Sequence, residues 1–298
     1  MVKSLVTGGA GFIGSHIVDK LIELGHEVVC IDNEFADNET FYWNKNSNNY
    51  KVDITNYDEI LDLFIDVDYV FHCAAESRIG TAINNPTLAT KINVLGTATV
   101  LQCAKENRVK RLIYSSTSSG YGFNMCPNTE EQPDDCLNPY SVSKIAGEKL
   151  CKMYTELYNF HTIIFRYFNV YGERAPKKGQ YAPVIGIFLR QKKAEQELTI
   201  VGNGLQKRDF IYVGDVVDAN ILAALKKIDE SNFGKVYNIG FGENISIKEI
   251  ANLISSKQKF LEPRIGEVKE NLADISRVKK VFGWQPKISV ENWLKSNI

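Results

Sequence analysis

Short apolar stretches alternate with longer segments of helical period through the first two thirds of the chain. Continuous apolar stretches predict strands at 4–7, 27–32, 69–74, 111–116 and 161–166, and a further short strand is expected at 50–52. The segments between them predict helices near 12–24, 56–64, 87–107 and 139–158. Strands that are apolar on both faces are typical of a parallel sheet covered by helices on both sides. The pattern therefore predicts an α/β fold built on a doubly wound parallel sheet.

The pattern changes after Arg166. A stretch rich in Gly, Pro and Lys at 171–183 is typical of a loop over a site. Beyond it, the sequence predicts helices near 183–193, 246–256 and 289–296 and strands near 198–200 and 236–239. We expect a first domain at 1–166, to which parts of 205–240 return, and a smaller α/β lobe formed by 167–204 and 241–298.

Composition narrows the function classes. The chain has 298 residues, 44% of them hydrophobic, with a formal net charge of −1, so no basic field points to nucleic acid. No apolar run reaches the roughly 18 residues that a membrane span needs, and the first residues lead directly into a strand without an apolar leader. Six cysteines without C-x-x-C spacing indicate reduced thiols in a cytoplasmic protein. Four scattered histidines indicate no metal site.

A glycine-rich turn follows the first predicted strand and opens a helix. In T-G-G-A-G-F-I-G at 7–14, Gly8, Gly11 and Gly14 have the G-x-x-G-x-x-G spacing of a Rossmann dinucleotide site. The first glycine permits the tight turn, the second lets the backbone approach a diphosphate, and the third lets the helix pack close to the strand. The diphosphate would then meet the unpaired N–H groups at the helix start.

A carboxylate ends the second predicted strand. Asp32 can bind the ribose hydroxyls of adenosine and would repel a 2′-phosphate, and no Arg or Lys follows it directly, so NAD is favoured over NADP. Asn33 adjoins it. Asp53 and Ile54, after the strand at 50–52, are candidates for contact with adenine, although Asp53 could equally be a plain helix N-cap.

The candidate chemistry lies in the run N-P-Y-S-V-S-K at 138–144. Tyr140 and Lys144 are one helical turn apart, so both side chains project from the same helix face. A free tyrosine has a pKa of about 10. A fixed ammonium one turn away favours the phenolate, and we expect it to lower the pKa of Tyr140 toward the range where a tyrosine can act as acid and base. The pair is informative only together with a hydride acceptor and a substrate pocket.

Eight motifs in order along nearly the whole chain resemble the extended short-chain dehydrogenase/reductases, and within them the nucleotide-sugar 4-epimerases. The motifs are T-G-G-A-G-F-I-G at 7–14, H-C-A-A at 72–75, N-V-L-G-T at 93–97, S-S-T at 115–117, Y-S-V-S-K at 140–144, R-Y-F-N-V-Y-G at 166–172, R-D-F-I-Y-V at 208–213, and P-R-I-G-E with A-D-I-S at 263–276.

The resemblance implies a role for each matching residue. Thr117 would bind the sugar 4-hydroxyl, Tyr140 would be the acid/base, and Lys144 would bind the nicotinamide ribose. It also implies NAD as cofactor, a UDP-sugar as substrate and a homodimer formed through the helices near 87–107 and 143–158. The implied cofactor-binding residues are Gly8, Gly11, Phe12, Ile13, Gly14, Asp32, Asn33, Asp53, Ile54, Ala74, Ala75, Asn93, Tyr140, Lys144 and Tyr167. The implied substrate-binding residues are Thr117, Asn169, Arg208, Arg264 and Asn271.

Two serines after Thr117 bear on the reaction. Family members that eliminate water follow this Thr with Asp-Glu, and the uronate decarboxylases keep a Glu two residues beyond it, whereas this chain has Ser118 and Ser119. Oxidation at C4, rotation of the 4-keto sugar and return of the hydride would need neither carboxylate. We therefore expect 4-epimerisation of a UDP-hexose.

The sugar and the exact reaction are left open at this stage. Asn271 falls at the family's pocket gatekeeper and is of intermediate size, which hints at UDP-GlcNAc/GalNAc without excluding UDP-Glc/Gal or a hexuronate. Another enzyme of the family, a decarboxylase or a 4,6-dehydratase, would gain support if a carboxylate such as Glu76 entered the C5 region. A non-catalytic dinucleotide-binding protein on the same fold is a further alternative, but the chain keeps Thr117, Tyr140 and Lys144 together.

Overall fold

The computed structural model describes residues 1–36, 41–176, 183–263 and 268–298. Twelve strands lie in these ranges: β1 (Lys3–Thr7), β2 (Glu27–Asp32), β3 (Asn48–Lys51), β4 (Tyr69–His72), β5 (Arg111–Thr117), β6 (Thr162–Tyr167), β7 (Asn169–Tyr171), β8 (Leu198–Val201), β9 (Lys207–Tyr212), β10 (Lys235–Ile239), β11 (Asn244–Ser246) and β12 (Gln258–Leu261).

Eleven α-helices lie in the same ranges. They are α1 (Phe12–Glu23), α2 (Tyr57–Ile60), α3 (Ile79–Asn84), α4 (Pro86–Thr90), α5 (Gly96–Glu106), α6 (Pro139–Tyr158), α7 (Val184–Lys193), α8 (Val213–Leu225), α9 (Ile247–Ile254), α10 (Ser276–Phe282) and α11 (Val290–Asn297). Short 3-10 turns follow α2 at Leu61–Phe64 and β5 at Ser118–Tyr121, and a π-helical turn at Lys91–Leu95 joins α4 to α5.

Seven strands form one parallel sheet in the order β10-β6-β5-β4-β1-β2-β3. The order runs outward from β1 in both directions, so the carboxyl ends of β1 and β4 flank a crevice where ligands bind in such sheets. The predicted doubly wound sheet of Rossmann type is therefore confirmed.

Helices cover both faces of this sheet. Side chains of α1, α8 and α10 form one apolar core with it, and side chains of α5 and α6 form the other. Val6 and Phe71 lie in the first core, and Leu5 and Val70 in the second, so single strands feed both cores. This explains why the strands read as continuous apolar runs.

A third core lies between two small sheets and three helices. The small sheets have the orders β11-β9-β7 and β12-β8, and the core is filled from α7, α9 and α11. Strands β7 and β9 lie close in sequence to elements that pack on the main sheet. Strand β7 begins two residues after β6 ends, and α8 begins directly after β9 ends. The division into two domains at the predicted boundaries stays a prediction, and Val278, Phe282 and Trp284 of the C-terminal part pack in the main-sheet core.

Several elements were not predicted from the sequence, namely α3, α8, α10, β7, β9, β11 and β12. The helix predicted at 87–107 is divided by the π-helical turn. All six cysteines are free, as expected, with Cys30, Cys103 and Cys151 buried. In the described ranges, no helix is long and apolar enough to cross a membrane.

Candidate active site

The glycine turn is packed too tightly for side chains. Gly8 has φ +66°, and a Cβ on it would lie 2.7 Å from the backbone nitrogen of Ala74. A Cβ on Gly14 would lie 2.1 Å from the carbonyl oxygen of Gly8. Helix α1 begins after Gly11, which offers no side-chain cap. The turn, the start of α1 and the end of β4 therefore form one compact backbone surface at the crevice.

Asp32 lies at the end of β2 and braces this turn. One carboxylate oxygen accepts the N–H of Ala10 at 3.2 Å and the other accepts the N–H of Glu34 at 2.8 Å. Burial raises the pKa of Asp32, while the backbone hydrogen bonds lower it. The carboxylate therefore has a structural task that the sequence did not indicate, and its predicted contact with a ribose stays a prediction.

The residues predicted near adenine form a small polar cluster. The Asn33 amide donates to Asp53 at 3.0 Å, and Asp53 also accepts the N–H and the hydroxyl of Thr55 at 2.8 Å each. The N-cap position of helix α2 is Asn56, so the alternative that Asp53 is the N-cap is wrong. Ile54 is buried in the second core, where it packs on Gly96.

The other residues predicted beside the cofactor occupy the rim of the same crevice. Phe12 and Ile13 open α1, and both are half-buried. Ala74 and Ala75 follow β4 and are also half-buried, and the N–H of Ala74 donates to the hydroxyl of Thr7 at 3.2 Å. Their place in the fold is compatible with the predicted contacts.

Thr117 and Tyr140 meet across the cleft between β5 and α6. The Thr117 side chain lies within reach of Tyr140, and its oxygen accepts the N–H of Ser119 at 3.1 Å. Thr117 is therefore both the N-cap of the turn after β5 and a neighbour of the tyrosine. Burial raises the pKa of Tyr140, the Thr117 hydrogen bond lowers it, and the charge of Glu76 raises it. The net direction is upward, opposite to the lowering expected from the sequence, because burial outweighs the hydrogen bond.

Helix α6 holds the tyrosine and the lysine rigidly. It begins with a capping box in which Asn138 accepts the N–H of Ser141 at 2.9 Å. Lys144 is only 2% exposed, and its ammonium lies 4.2 Å from the centroid of the Tyr114 ring. Burial lowers the pKa of Lys144 to about 8. A buried cation of this kind is expensive to keep, which is typical of functional sites.

Asn93 and Tyr167 are more deeply buried than a direct cofactor contact requires. The Asn93 amide donates to the carbonyl of Glu76 at 3.0 Å and to the hydroxyl of Ser143 at 2.9 Å. The hydroxyl of Tyr167 lies 3.2 Å from that of Ser115, and Asn220 donates to it at 2.8 Å. The described contacts of both side chains are thus internal, and their predicted contact with the cofactor stays a prediction.

The residues predicted for the sugar-nucleotide surround β9. The Asn169 amide donates to the carbonyl of Asp209 at 2.7 Å, and the side-chain oxygen of Asn271 accepts the N–H of Asp209 at 3.0 Å. Arg208 is half-buried on the same strand and donates to the carbonyl of Lys207 at 2.9 Å. The fold therefore brings Asn169, Arg208 and Asn271 together. Arg264 lies outside the described residues.

The chain matches the model of the NAD dependent epimerase/dehydratase family over residues 4–240. It belongs to that family. A UDP-glucuronate 4-epimerase of Thermodesulfobacterium geofontis is 34% identical, with 99% of this chain and 96% of the relative covered.

Two solved structures share the fold over nearly their full lengths. One is a UDP-glucose 4-epimerase of Thermotoga maritima with UDP-glucose, which is 34% identical with a TM-score of 0.92, covering 99% of this chain and 96% of that one. The other is a UDP-N-acetylglucosamine 4-epimerase of Methanobrevibacter ruminantium in complex with UDP-N-acetylmuramic acid. It is 32% identical with a TM-score of 0.90, covering 100% of this chain and 99% of that one. The predicted resemblance is confirmed, and this chain is an enzyme of the NAD-dependent epimerase/dehydratase family.

The crevice of this family member fits NAD, the predicted cofactor. The absence of side chains at Gly8, Gly11 and Gly14 leaves backbone alone facing the start of α1, where amide groups can receive a diphosphate. Asp32 stands at the end of the next strand, in reach of a ribose. A Cβ at Gly8 or Gly14 would collide with the backbone of Ala74 or of Gly8 and so push the turn out of this shape.

Two further features lie at this site, one a single carboxylate and the other an ion pair, and their residues were not among the predicted site residues. Asp209 is fully buried and accepts the N–H groups of Phe241, Gly242 and Ala273 at 2.7 to 3.1 Å. It thereby ties the turn after β10 and the segment of Asn271 to β9. Burial raises the pKa of Asp209 to about 6. The motif R-D-F-I-Y-V contains this Asp, but only the folded chain shows which backbone groups it binds.

The second is the pair formed by Glu76 and Arg78 after β4. Glu76 is 2% exposed, and Arg78 binds its two carboxylate oxygens through Nε and Nη2 at 3.1 and 3.0 Å. The N–H of Arg78 also donates to Glu76 at 2.9 Å. The sequence named Glu76 only as a carboxylate that could serve a different reaction.

Proposed function

We propose that this enzyme catalyses NAD-dependent 4-epimerisation of a UDP-hexose, either UDP-GlcNAc/GalNAc or UDP-Glc/Gal, through a transient 4-keto sugar. The observation that carries the proposal is that Thr117 and Tyr140 lie within reach of each other in a wall that continues with Ser118 and Ser119. This arrangement can move a proton to and from one sugar oxygen, and it places serines where dehydratases and decarboxylases have acids.

The residues of the chain would divide the work as follows. Thr117 hydrogen-bonds the sugar 4-hydroxyl, and Tyr140 accepts the proton of O4 and later returns it. Lys144 holds the nicotinamide ribose. When the ribose is bound, the ammonium of Lys144 stabilises the phenolate of Tyr140. NAD, when bound, supplies the hydride acceptor. Rotation of the 4-keto sugar in the pocket lets the hydrogen return to the opposite face of C4.

Elimination or decarboxylation has less support at this site. Both reactions need acid or base groups near C5 and C6, and Ser118 and Ser119 bring none. Glu76, the carboxylate of a different segment that could have served, has both oxygens bound by Arg78. Both oxygens of Glu76 thus already have a charged partner in Arg78.

The sugar-nucleotide would lie against β9. Arg208 is suited to the diphosphate, since a guanidinium can bind two phosphate oxygens at once. Asn169 would hydrogen-bond the same phosphates, and Arg264 would supply a second guanidinium. Asn271 would face the sugar. Its side-chain oxygen is fixed by the N–H of Asp209, so the amide presents a defined edge to the pocket.

A second candidate is 4-epimerisation of UDP-glucuronate, which the relative from Thermodesulfobacterium geofontis favours. It would use the same Thr117, Tyr140 and Lys144, because the chemistry at C4 is unchanged. Only the group at C6 differs, so the two candidates separate by substrate and not by mechanism.

We also propose a homodimer through α5 and α6, in a cytoplasmic enzyme. Leu95 and Val142, next to the start of α5 and in the first turn of α6, are 50% and 55% exposed. Light scattering on the purified protein tests the dimer, with a single-chain mass as the contradicting result.

One assay tests the proposed function. The purified protein is incubated separately with UDP-Glc, UDP-GlcNAc and UDP-GlcA without added NAD, and the products are followed by NMR. We expect the 4-epimer of one of these sugars, formed by cofactor that stayed bound during purification. Release of CO2 or a stable 4-keto-6-deoxy product would contradict epimerisation.

A further inference from the structure

The segment after β4 buries an ion pair that the proposed mechanism does not use. The Glu76 side chain is 1% exposed and that of Arg78 is 31% exposed, so the carboxylate lies inside and the guanidinium covers it. Three hydrogen bonds from Arg78, one from its backbone and two from its side chain, end on Glu76. Burying a carboxylate is costly unless such a partner compensates its charge.

This pair is fixed to the helix that carries Tyr140. Asn93, in the π-helical turn, accepts the N–H of Glu76 at 2.8 Å and donates to its carbonyl at 3.0 Å. The same amide donates to the hydroxyl of Ser143 at 2.9 Å, and that hydroxyl donates to the carbonyl of Tyr140 at 2.8 Å. Glu76, Asn93, Ser143 and Tyr140 thus form one hydrogen-bonded network, which fixes the backbone of Glu76 relative to the backbone of Tyr140.

Few charged or titratable groups face Tyr140 in the described part of the chain. Thr117 and Tyr114 approach it from β5, and Lys144 stands one turn along α6. Glu76 is the negative group, and its charge acts directly on the tyrosine. A phenolate forming at Tyr140 would be repelled by this carboxylate unless a positive charge lies beside it.

We propose that Arg78 is a positioning residue for Tyr140, which neutralises the buried Glu76 carboxylate so that the phenolate forms beside a neutral pair. The proposal rests on the role of Tyr140 as acid/base. The backbone of Glu76 fixes the segment after β4 to Asn93 and α6, and Arg78 has the task of neutralising the carboxylate that this residue brings with it. The sugar would thereby meet a tyrosine whose ionisation depends on a residue outside the catalytic set.

A charge cycle on the two residues tests the proposal. Protein with 13Cζ-labelled tyrosine is titrated by NMR in four forms, the unchanged chain, Glu76→Gln, Arg78→Gln and the double variant. The resonance of Tyr140 is the one of 14 that disappears in Tyr140→Phe. We expect Arg78→Gln to raise the pKa of Tyr140 by on the order of one unit and Glu76→Gln to lower it. The double variant should lie between the single variants.

Controls separate charge from damage to the fold. Arg78→Lys keeps the charge and should titrate close to the unchanged protein, and thermal melting of every form checks folding. If Arg78→Gln does not fold, the Glu76→Gln arm alone decides, because an unchanged pKa there would overturn the proposal. Identical pKa values in all folded forms, or a fall in Arg78→Gln, would also overturn it.

The titration needs no turnover, so the two proposals can fail separately. If no sugar is epimerised but the pKa of Tyr140 follows the charge cycle, the proposed function fails and the role of Arg78 stands. If the enzyme epimerises a sugar but the pKa of Tyr140 is the same in all four forms, only the role proposed for Arg78 is refuted. In an active enzyme, the alkaline shift should also appear in the pH profile of kcat for Arg78→Gln.

Discussion

Thr117 lies within reach of Tyr140 and accepts the N–H of Ser119 at 3.1 Å. Because that N–H fixes the threonine oxygen, its hydroxyl proton is left to point toward the tyrosine or a substrate oxygen. A donor in this position favours an ionised tyrosine and lowers its pKa against the effect of burial. The strand end and the helix start therefore cooperate in one proton transfer.

Tyr140→Phe removes the acid/base group and keeps the ring. We expect kcat for epimerisation to fall by about 10²- to 10⁴-fold, the usual range for a general acid/base, with little change in the Kd of the UDP-sugar measured by calorimetry. Tyr158→Phe is the matched control, since this tyrosine lies at the far end of the same helix and is 44% exposed. Full turnover by Tyr140→Phe would refute the catalytic assignment.

Lys144→Met should abolish activity without costing stability. Burial lowers the pKa of Lys144 to about 8, so the native chain binds fewer protons than the unfolded chain between that pH and the ordinary lysine value. Stability of the original protein, freed of NAD, should therefore rise with pH across this window, and the variant should lose that rise. Urea denaturation at both ends of the window measures it. An equal slope in both proteins would show that the ammonium is not destabilised.

Gly8→Ala should lose the bound cofactor. Its φ is +66° and a Cβ would press on the backbone of Ala74 at 2.7 Å. Gly25→Ala is the matched control, because φ is +78° there and a Cβ would meet nothing within 4 Å. Both changes carry backbone strain, so only the close contact differs. NAD released by denaturation and measured by chromatography should be depleted in Gly8→Ala alone, and equal amounts in both would contradict a binding role for this turn.

Asp209→Asn should lower both stability and affinity for the UDP-sugar. The amide replaces one acceptor oxygen by a donor that faces backbone N–H groups, at a cost of about 1–3 kcal/mol for each buried group left unsatisfied. Because burial raises the pKa of Asp209 to about 6, the native protein binds more protons than the unfolded protein between the ordinary aspartate pKa and this value. Stability should thus fall as pH rises from 4 to 6, and this fall should vanish in the variant. Unchanged melting and an unchanged Kd would contradict the role.

The main sheet could be predicted because a strand that is buried on both faces has a continuous apolar sequence. The same rule misses β7 and β11, which have three residues each and are too short for a pattern. Helix α8 was missed because it follows β9 without a turn residue and is apolar around much of its surface. The π-helical turn at Lys91–Leu95 has no periodic signal of its own.

The site was predicted as far as local spacing reaches. Tyr140 and Lys144 share one helix, and the glycines share one turn, so their relation is visible in the sequence. The hydrogen bonds of Asn93 to Glu76 and Ser143 join residues 17 and 50 positions apart. Only the packing of the π-helical turn against α6 and against the segment after β4 brings them together. The raised pKa of Tyr140 likewise depends on burial, which the spacing of residues in the sequence does not reveal.

The most direct test of the proposed epimerisation follows the hydrogen at C4. UDP-Glc and UDP-GlcNAc deuterated at C4 are each incubated with the purified protein in ordinary water, and both epimers are analysed by NMR. We predict that one sugar yields its 4-epimer with the deuterium retained at C4. Exchange of that deuterium with solvent, or a product other than the 4-epimer, would contradict the account.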